Sequence, residues 1–189
     1  MNKKLMWSAL AIFVVTSGIA VTINSLLGAG LRFDYTISRY VGLETWSAVV
    51  FALGNFVVAG MMLKYLYGMA EIWKMPRWVY WLIVVMLVSL IGLSVCPIGY
   101  FDPEWAKYGT SAPSLIHGLC SRVMFASMLV VVTMVVLCTL ASKWTRIFAI
   151  VFVVYGAFCL YGYFSKVAWF EHTVLVFESL YLFGFMVMC

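Results

Sequence analysis

Residues 115–141 read LIHGLCSRVMFASMLVVVTMVVLCTLA, an apolar run that carries one charged residue, Arg122. A transmembrane helix needs about 20 consecutive apolar residues, because it crosses about 30 Å of hydrocarbon at about 1.5 Å per residue. The run is long enough, and it is continuously apolar rather than alternating, which favours a helix over a barrel strand. This stretch therefore predicts a membrane-spanning α-helix.

The remainder of the chain has the same apolar character. Hydrophobic residues make up 66% of the 189 and charged residues 10%, against about 25% charged in an ordinary soluble domain. Further apolar runs of nearly spanning length or more lie at about 5–29, 45–67, 78–95, 147–164 and 168–188. The sequence therefore predicts an all-α fold, a single transmembrane domain over residues 1–189 that forms a polytopic bundle of six helices.

The distribution of basic residues predicts the orientation of this bundle. Of the 12 lysines and arginines, 7 fall on the side of the N-terminus, and cytoplasmic loops carry an excess of these residues. We therefore expect a multi-pass protein of the cell membrane with both termini in the cytoplasm. The outer loops are then 30–44 and 96–114, and in the first of them Thr36 or Ser38 is expected to cap a short turn that ends near Gly42.

Several polar side chains interrupt the apolar runs, and their helical depth places them in the outer half of the membrane. His117 and Ser121 are four residues apart and share one helix face. Arg122 and Glu178 are the expected ion pair, either as a clamp between helices or as part of a site, because an unpaired charge there is costly. The alternative is that Arg122 extends alone to the outer headgroups. The residues expected to line one outward-facing polar pocket are Asn24, Ser38, Asn55, Asp102, His117, Ser121, Arg122 and Glu178.

Motifs for metal binding or covalent catalysis are missing from the sequence. The five cysteines form no C-x-x-C pair, and neither H-E-x-x-H nor G-x-S-x-G occurs. His117 either hydrogen-bonds inside the bundle or contacts the polar head of a ligand, and a haem would require it to face His172. We therefore expect no metal and no cofactor, and no catalytic residue is assigned. The net charge of +5 reflects basic loops, so no nucleic acid partner is expected.

Short motifs in the outer regions match a known membrane family. Residues 37–42 read ISRYVG, Cys96-Pro97 ends the third span, and His117 opens the fourth. With Gly54-Asn55 and Glu178, this pattern resembles the bacterial and archaeal membrane family known as domain of unknown function 998. The resemblance covers nearly the whole chain and implies about six helices, an I-S-x-x-G outer loop and no established activity. The motif residues carried over are Ser38, Gly42, Pro97 and His117.

A polar pocket inside an apolar shell suits an amphiphile, since polar groups hold its head and apolar walls hold its tail. We therefore predict binding or handling of a membrane lipid or lipid-like small molecule. Three alternatives stay open: the substrate-binding subunit of a membrane transporter, an intramembrane enzyme acting on lipid, and a structural or assembly protein. The transporter alternative requires a membrane protein partner that hydrolyses ATP. The enzyme alternative would use His117 with Asp102 or Glu178.

Overall fold

A computed structural model of the chain describes residues 3–32, 36–96, 112–138, 143–165 and 173–188. These ranges consist of helices joined by short turns and contain no strand, which confirms the expected all-α class for the described part. In chain order the helices are α1 (Lys3–Asn24), α2 (Ile37–Val41), α3 (Thr45–Ile72), α4 (Arg77–Val95), α5 (Ala112–Cys138), α6 (Lys143–Ser165) and α7 (Val174–Met188).

Helix length and hydropathy support a membrane protein. Among the described residues, 4 helices are long and apolar enough to cross a bilayer: Lys4–Gly28, Thr45–Ile72, Arg77–Val95 and Leu115–Cys138. They fall at the first four of the predicted spans. At the fifth and sixth positions the described apolar stretches are shorter, Arg146–Gly162 and Leu175–Phe185.

The outside of the bundle is apolar along several helices. Trp7 is 57% exposed, Leu53 62% and Leu119 63%. Monomeric soluble proteins rarely expose contiguous apolar patches larger than a few hundred Å². Lipid chains would cover such a surface, and this agrees with the composition.

The long helices pack in chain order: α1 lies against α3, α3 against α4, α4 against α5, α5 against α6 and α6 against α7. Contacts between α7 and α1 close the ring. Glycine permits two of the closest approaches. A Cβ atom built on Gly54 would lie 2.6 Å from Cγ2 of Thr16, and one on Gly92 would lie 2.7 Å from Sγ of Cys120. Backbone of one helix therefore touches side chains of the next, as small residues allow in membrane bundles.

The segment between α1 and α3 turns back into the bundle. After α1 the chain forms a π-helical turn, Ser25–Ala29, in which Gly28 has φ 127°, and Gly30 follows with φ 66°. These dihedrals favour glycine, because a Cβ atom would strain the backbone. Thr36 then caps α2, its Oγ1 accepting a hydrogen bond from the backbone N–H of Arg39 at 3.2 Å, and Gly42 is the residue that follows the helix. The expected cap and turn are confirmed.

Candidate functional site

α2 lies buried at the end of the bundle where α1 ends and α3 begins. Ser38 is 2% exposed, and Tyr40 and Val41 are 0% exposed. The helix contacts α1, α3 and α7. Polar side chains from several segments gather around it, and we call this group the polar cluster: Asn24, Thr36, Ser38, Ser47, His117 and Glu178.

His117 joins the start of α5 to α2 and to the end of α4. Its Nδ1 lies 2.7 Å from the carbonyl oxygen of Cys96, and its Nε2 lies 3.2 Å from Oγ of Ser38. A carbonyl oxygen can only accept, so Nδ1 carries a proton and donates it. In the neutral ring Nε2 is then the acceptor, and the Ser38 hydroxyl donates to it. The arrangement selects one tautomer and aligns a hydroxyl with the free lone pair of an imidazole.

Glu178 joins α7 to the first turn of α2. Its Oε2 accepts a hydrogen bond from the backbone N–H of Ile37 at 2.9 Å. This N–H belongs to the first turn of the helix, where no carbonyl within the helix is available as a partner. A carboxyl oxygen at that position also lies at the positive end of the backbone dipoles of α2.

The expected ion pair between Arg122 and Glu178 is not seen within the described ranges. The two residues were placed at similar depth, but depth does not determine which way a side chain faces. Ser121 is 5% exposed and lies on the inner face with His117. The next residue points about 100° away around an α-helix, and Arg122 is accordingly exposed.

Asn24 links the far end of α2 to α1 and α3. Its Nδ2 donates to the carbonyl oxygen of Tyr40 at 2.7 Å and to Oγ of Ser47 at 3.2 Å. The Ser47 hydroxyl in turn lies 2.8 Å from the carbonyl oxygen of Val41. Carbonyl groups at the end of a helix lack partners within it, and these side chains supply them. Both ends of α2 are therefore held by neighbouring helices.

The structure thus brings together four of the residues expected to line one pocket: Asn24, Ser38, His117 and Glu178. Ser121 follows one turn beyond His117 and is buried. Asn55 is 0% exposed but lies deeper, about 15 Å along α3 from its start. Asp102, and Pro97 of the family motif, lie outside the described residues.

Sequence reasoning missed Ser47 and the carbonyl group of Cys96. A serine near the start of an apolar run carries no distinctive signal, because serine is common in membrane helices. Pro97 is a weak sequence signal for the free carbonyl group of Cys96, since a helix usually ends at or before the residue that precedes proline. The last carbonyl groups of such a helix are then available to an outside donor, here Nδ1 of His117.

Within the described ranges, no group of three or more histidine, cysteine, aspartate or glutamate side chains is placed to hold a metal ion. Comparison of the chain with known proteins finds no family model, no curated protein and no solved structure that matches it. The functional inference therefore rests on the polar cluster itself.

Proposed function

We propose that this protein binds a lipid or lipid-like amphiphile at the polar cluster, which faces the outer side of the cell membrane in a multi-pass bundle of six spans with cytoplasmic termini. One observation carries the proposal: Ser38, His117 and Glu178 converge at one end of a bundle with an apolar exterior. A hydroxyl, an imidazole and a carboxylate can orient a polar head, while apolar helix surfaces hold its chain.

Membership of the family known as domain of unknown function 998 is part of this proposal. The resemblance rests on Ser38, Gly42 and His117, among other residues. Ser38 and His117 hydrogen-bond to each other across 79 positions of sequence, and Gly42 follows the end of α2. Contact in space between residues of one motif supports the resemblance.

Native mass spectrometry of the detergent-purified protein tests the binding proposal. We expect wild-type protein to retain a mass adduct in the range of a lipid. His117→Ala and Ser38→Ala should lose at least 90% of the adduct, because each removes a polar contact of the head. Trp7→Ala is the matched control, since Trp7 is 57% exposed on the outside of α1, and it should keep the adduct.

Two results would contradict binding at this cluster. One is a wild-type protein that shows no adduct under conditions gentle enough to preserve detergent or lipid contacts. The other is an adduct that both cluster variants retain at the level of Trp7→Ala. Circular dichroism of each variant establishes that the helices are intact before the masses are compared.

A second candidate function is hydrolysis of a lipid ester, and the alignment of Ser38, His117 and the Cys96 carbonyl group favours it. A nucleophile, a base and a group that orients the base are the parts of a serine hydrolase. Oγ of Ser38 would attack the ester carbonyl carbon and pass its proton to Nε2 of His117. The alcohol would leave with that proton, and water would release the acid. Glu178 has a different role, because it holds the N–H of Ile37.

A fluorophosphonate probe tests the hydrolytic candidate, since it reacts covalently with an activated serine. We expect one probe adduct on the peptide that contains Ser38, and we expect Ser38→Ala and His117→Gln to abolish it. Glu178→Gln should keep it. A wild-type protein that the probe does not modify, at concentrations that label a known serine hydrolase completely, would contradict the candidate.

A further inference from the structure

Three polar side-chain atoms of α1 and α3 are buried without a hydrogen-bond partner in the part of the chain that the structure describes. They are Oγ of Ser17 and both amide atoms, Oδ1 and Nδ2, of Asn55. Ser17 is 6% exposed and Asn55 is 0% exposed. Buried polar atoms nearly always have a partner, and those that lack one in the protein often contact ordered water or another bound group.

Ser17 and Asn55 lie at nearly the same level of the bundle. Asn24 of α1 hydrogen-bonds to Ser47 of α3, and Thr16 of α1 meets Gly54 of α3. Moving back along α1 therefore corresponds to moving forward along α3, so the two helices are antiparallel. Ser17 follows Thr16 and Asn55 follows Gly54. Because the helices run in opposite directions, each step adds about 1.5 Å, so Ser17 and Asn55 are about 3 Å apart along the helix axes.

A further buried atom without a hydrogen-bond partner lies on α1 between Ser17 and the rest of the polar cluster. Oδ1 of Asn24 is buried without a hydrogen-bond partner among the described residues. Asn24 and Ser17 are seven residues apart and so share one face of α1. Ala20, which is 2% exposed, lies between them on that face. We call this line of atoms the polar seam, and it reaches about 10 Å into the bundle from the cluster.

The chemistry of the seam restricts what it can bind. Nδ2 of Asn55 is a donor, the two amide oxygens are acceptors, and a serine hydroxyl can be either. A cation would leave the Nδ2 donor unsatisfied, and an anion would leave the amide oxygens unsatisfied. A fitting ligand is therefore uncharged and both donates and accepts hydrogen bonds.

We propose that Ser17 and Asn55 form a buried site in the polar seam for an uncharged group that both donates and accepts hydrogen bonds. Ordered water and the hydroxyl group of an amphiphile share this chemistry. The site stands on residues other than those that carry the proposed function, so either can fail without the other.

X-ray radiolytic footprinting read by mass spectrometry tests for water, because hydroxyl radicals formed from bound water modify the side chains beside it. Phe13 and Phe51 lie one turn from Ser17 and Asn55, with ring centroids 6.4 Å apart, and they are 6% and 2% exposed. We expect both rings to be modified at least fivefold faster than two control rings. Phe152 is 7% exposed and packs against Gly184 of α7, and Phe185 is 0% exposed.

Asn55→Leu keeps the number and branching of the side-chain heavy atoms and removes both polar atoms. It should bring the modification of Phe13 and Phe51 down to the rate of Phe185. Ser17→Ala is a milder variant for the case in which Asn55→Leu does not fold, and it should lower the same two rates at least twofold. Wild-type rates at Phe13 and Phe51 that equal the rate at Phe185 mean that no water occupies the seam.

Native mass spectrometry then tests whether the hydroxyl group of an amphiphile, rather than water, occupies the seam. An amphiphile in the seam gives a wild-type adduct that Asn55→Leu loses and His117→Ala keeps, and it also supports the site. The proposal is overturned when the phenylalanine rates do not exceed that of Phe185 and no adduct depends on Asn55. An adduct that depends on His117 but not on Asn55 supports the proposed function and, with slow labelling of both rings, overturns the seam site.

Discussion

Lys74 has a backbone conformation that usually belongs to glycine. Its φ is 48°, and it lies just after α3, where Met75 donates its N–H to the carbonyl oxygen of Ala70 at 2.9 Å. Helices commonly end with a residue in this left-handed conformation, and glycine is preferred there because it has no Cβ atom. The lysine side chain is exposed, so little packing is lost when it is removed.

We therefore expect Lys74→Gly to raise the free energy of unfolding by about 1 kcal/mol. Lys64→Gly is the matched control, since Lys64 is an exposed lysine inside α3. It should lower the free energy of unfolding by about 1 kcal/mol. Denaturation in mixed micelles measures both, and a destabilised Lys74→Gly variant would contradict the assignment of strain to this residue.

Gly92 supports a prediction about the contact between α4 and α5. A methyl group at this position would lie 2.7 Å from Sγ of Cys120, so we expect Gly92→Ala to lower the free energy of unfolding by about 1–3 kcal/mol. Cys120→Ala in the same chain removes the clashing sulfur and should restore most of the loss. Gly60→Ala is the control, because nothing lies within 4 Å of its Cβ position.

The same denaturation assay measures these variants. Gly60→Ala should be neutral or raise the free energy of unfolding by up to about 1 kcal/mol, as alanine does inside helices. A Gly92→Ala variant as stable as Gly60→Ala would show that α4 and α5 do not approach as closely as described.

At the scale of elements, α2 depends on its neighbours for its position. A helix of five residues is too short to be stable by itself, because forming the first turn is unfavourable. The hydrogen bond from Ile37 to Glu178 and the one from Ser38 to His117 join it to α7 and α5. α2 should therefore leave its buried position when these bonds are removed.

Limited trypsin digestion measures this release, since cleavage after Arg39 requires α2 to unfold. Glu178→Ala removes the acceptor and leaves the N–H of Ile37 without a partner, at a cost of about 1–3 kcal/mol, which corresponds to roughly fivefold or more faster cleavage. Glu178→Gln should cleave at nearly the wild-type rate, because its amide oxygen can still accept from Ile37. Equal rates for the two variants would mean that the carboxylate does not hold α2.

How far the sequence predicts this fold depends on the kind of signal. Long apolar runs predict helices well, because length and hydropathy are properties of a single segment. Thr36 and Gly42 predict the turn of α2 for the same reason, since caps are local. The exposure of Arg122 is harder to predict, because neighbouring residues on a helix point about 100° apart, which hydropathy does not resolve.

The candidate site is harder to predict, because its bonds join distant segments and include backbone groups. Ser38 and His117 were both expected at the site, but their direct hydrogen bond was not. Glu178 bonds to the N–H of Ile37 and Asn24 to the carbonyl group of Tyr40. Any residue can offer such backbone groups, so no residue type marks these partners in advance.

At the scale of the whole molecule, the proposed topology of six spans with cytoplasmic termini makes a prediction about the two chain ends. A fluorescent protein that folds only in the cytoplasm should be bright when fused to either end. Alkaline phosphatase, which is active only outside, should be inactive on both. An active phosphatase at the C-terminal end would show that the number of spans is odd. Arg77 and Arg146 lie at or near the starts of α4 and α6, and basic residues there agree with a cytoplasmic position of these helix ends.

The hydrogen bond between Ile37 and Glu178 joins residues 141 positions apart. A ribosome adds about 5–20 residues per second, so α2 is synthesised about 7–28 seconds before its partner on α7 exists. Through that interval the N–H of Ile37 is unmatched, and Ser38 is unmatched until His117, 79 positions later, has been made. Burial of α2 by this bond therefore requires that the chain has been synthesised as far as α7. A chaperone or protease that recognises the segment before burial would distinguish chains that carry α7 from those that do not.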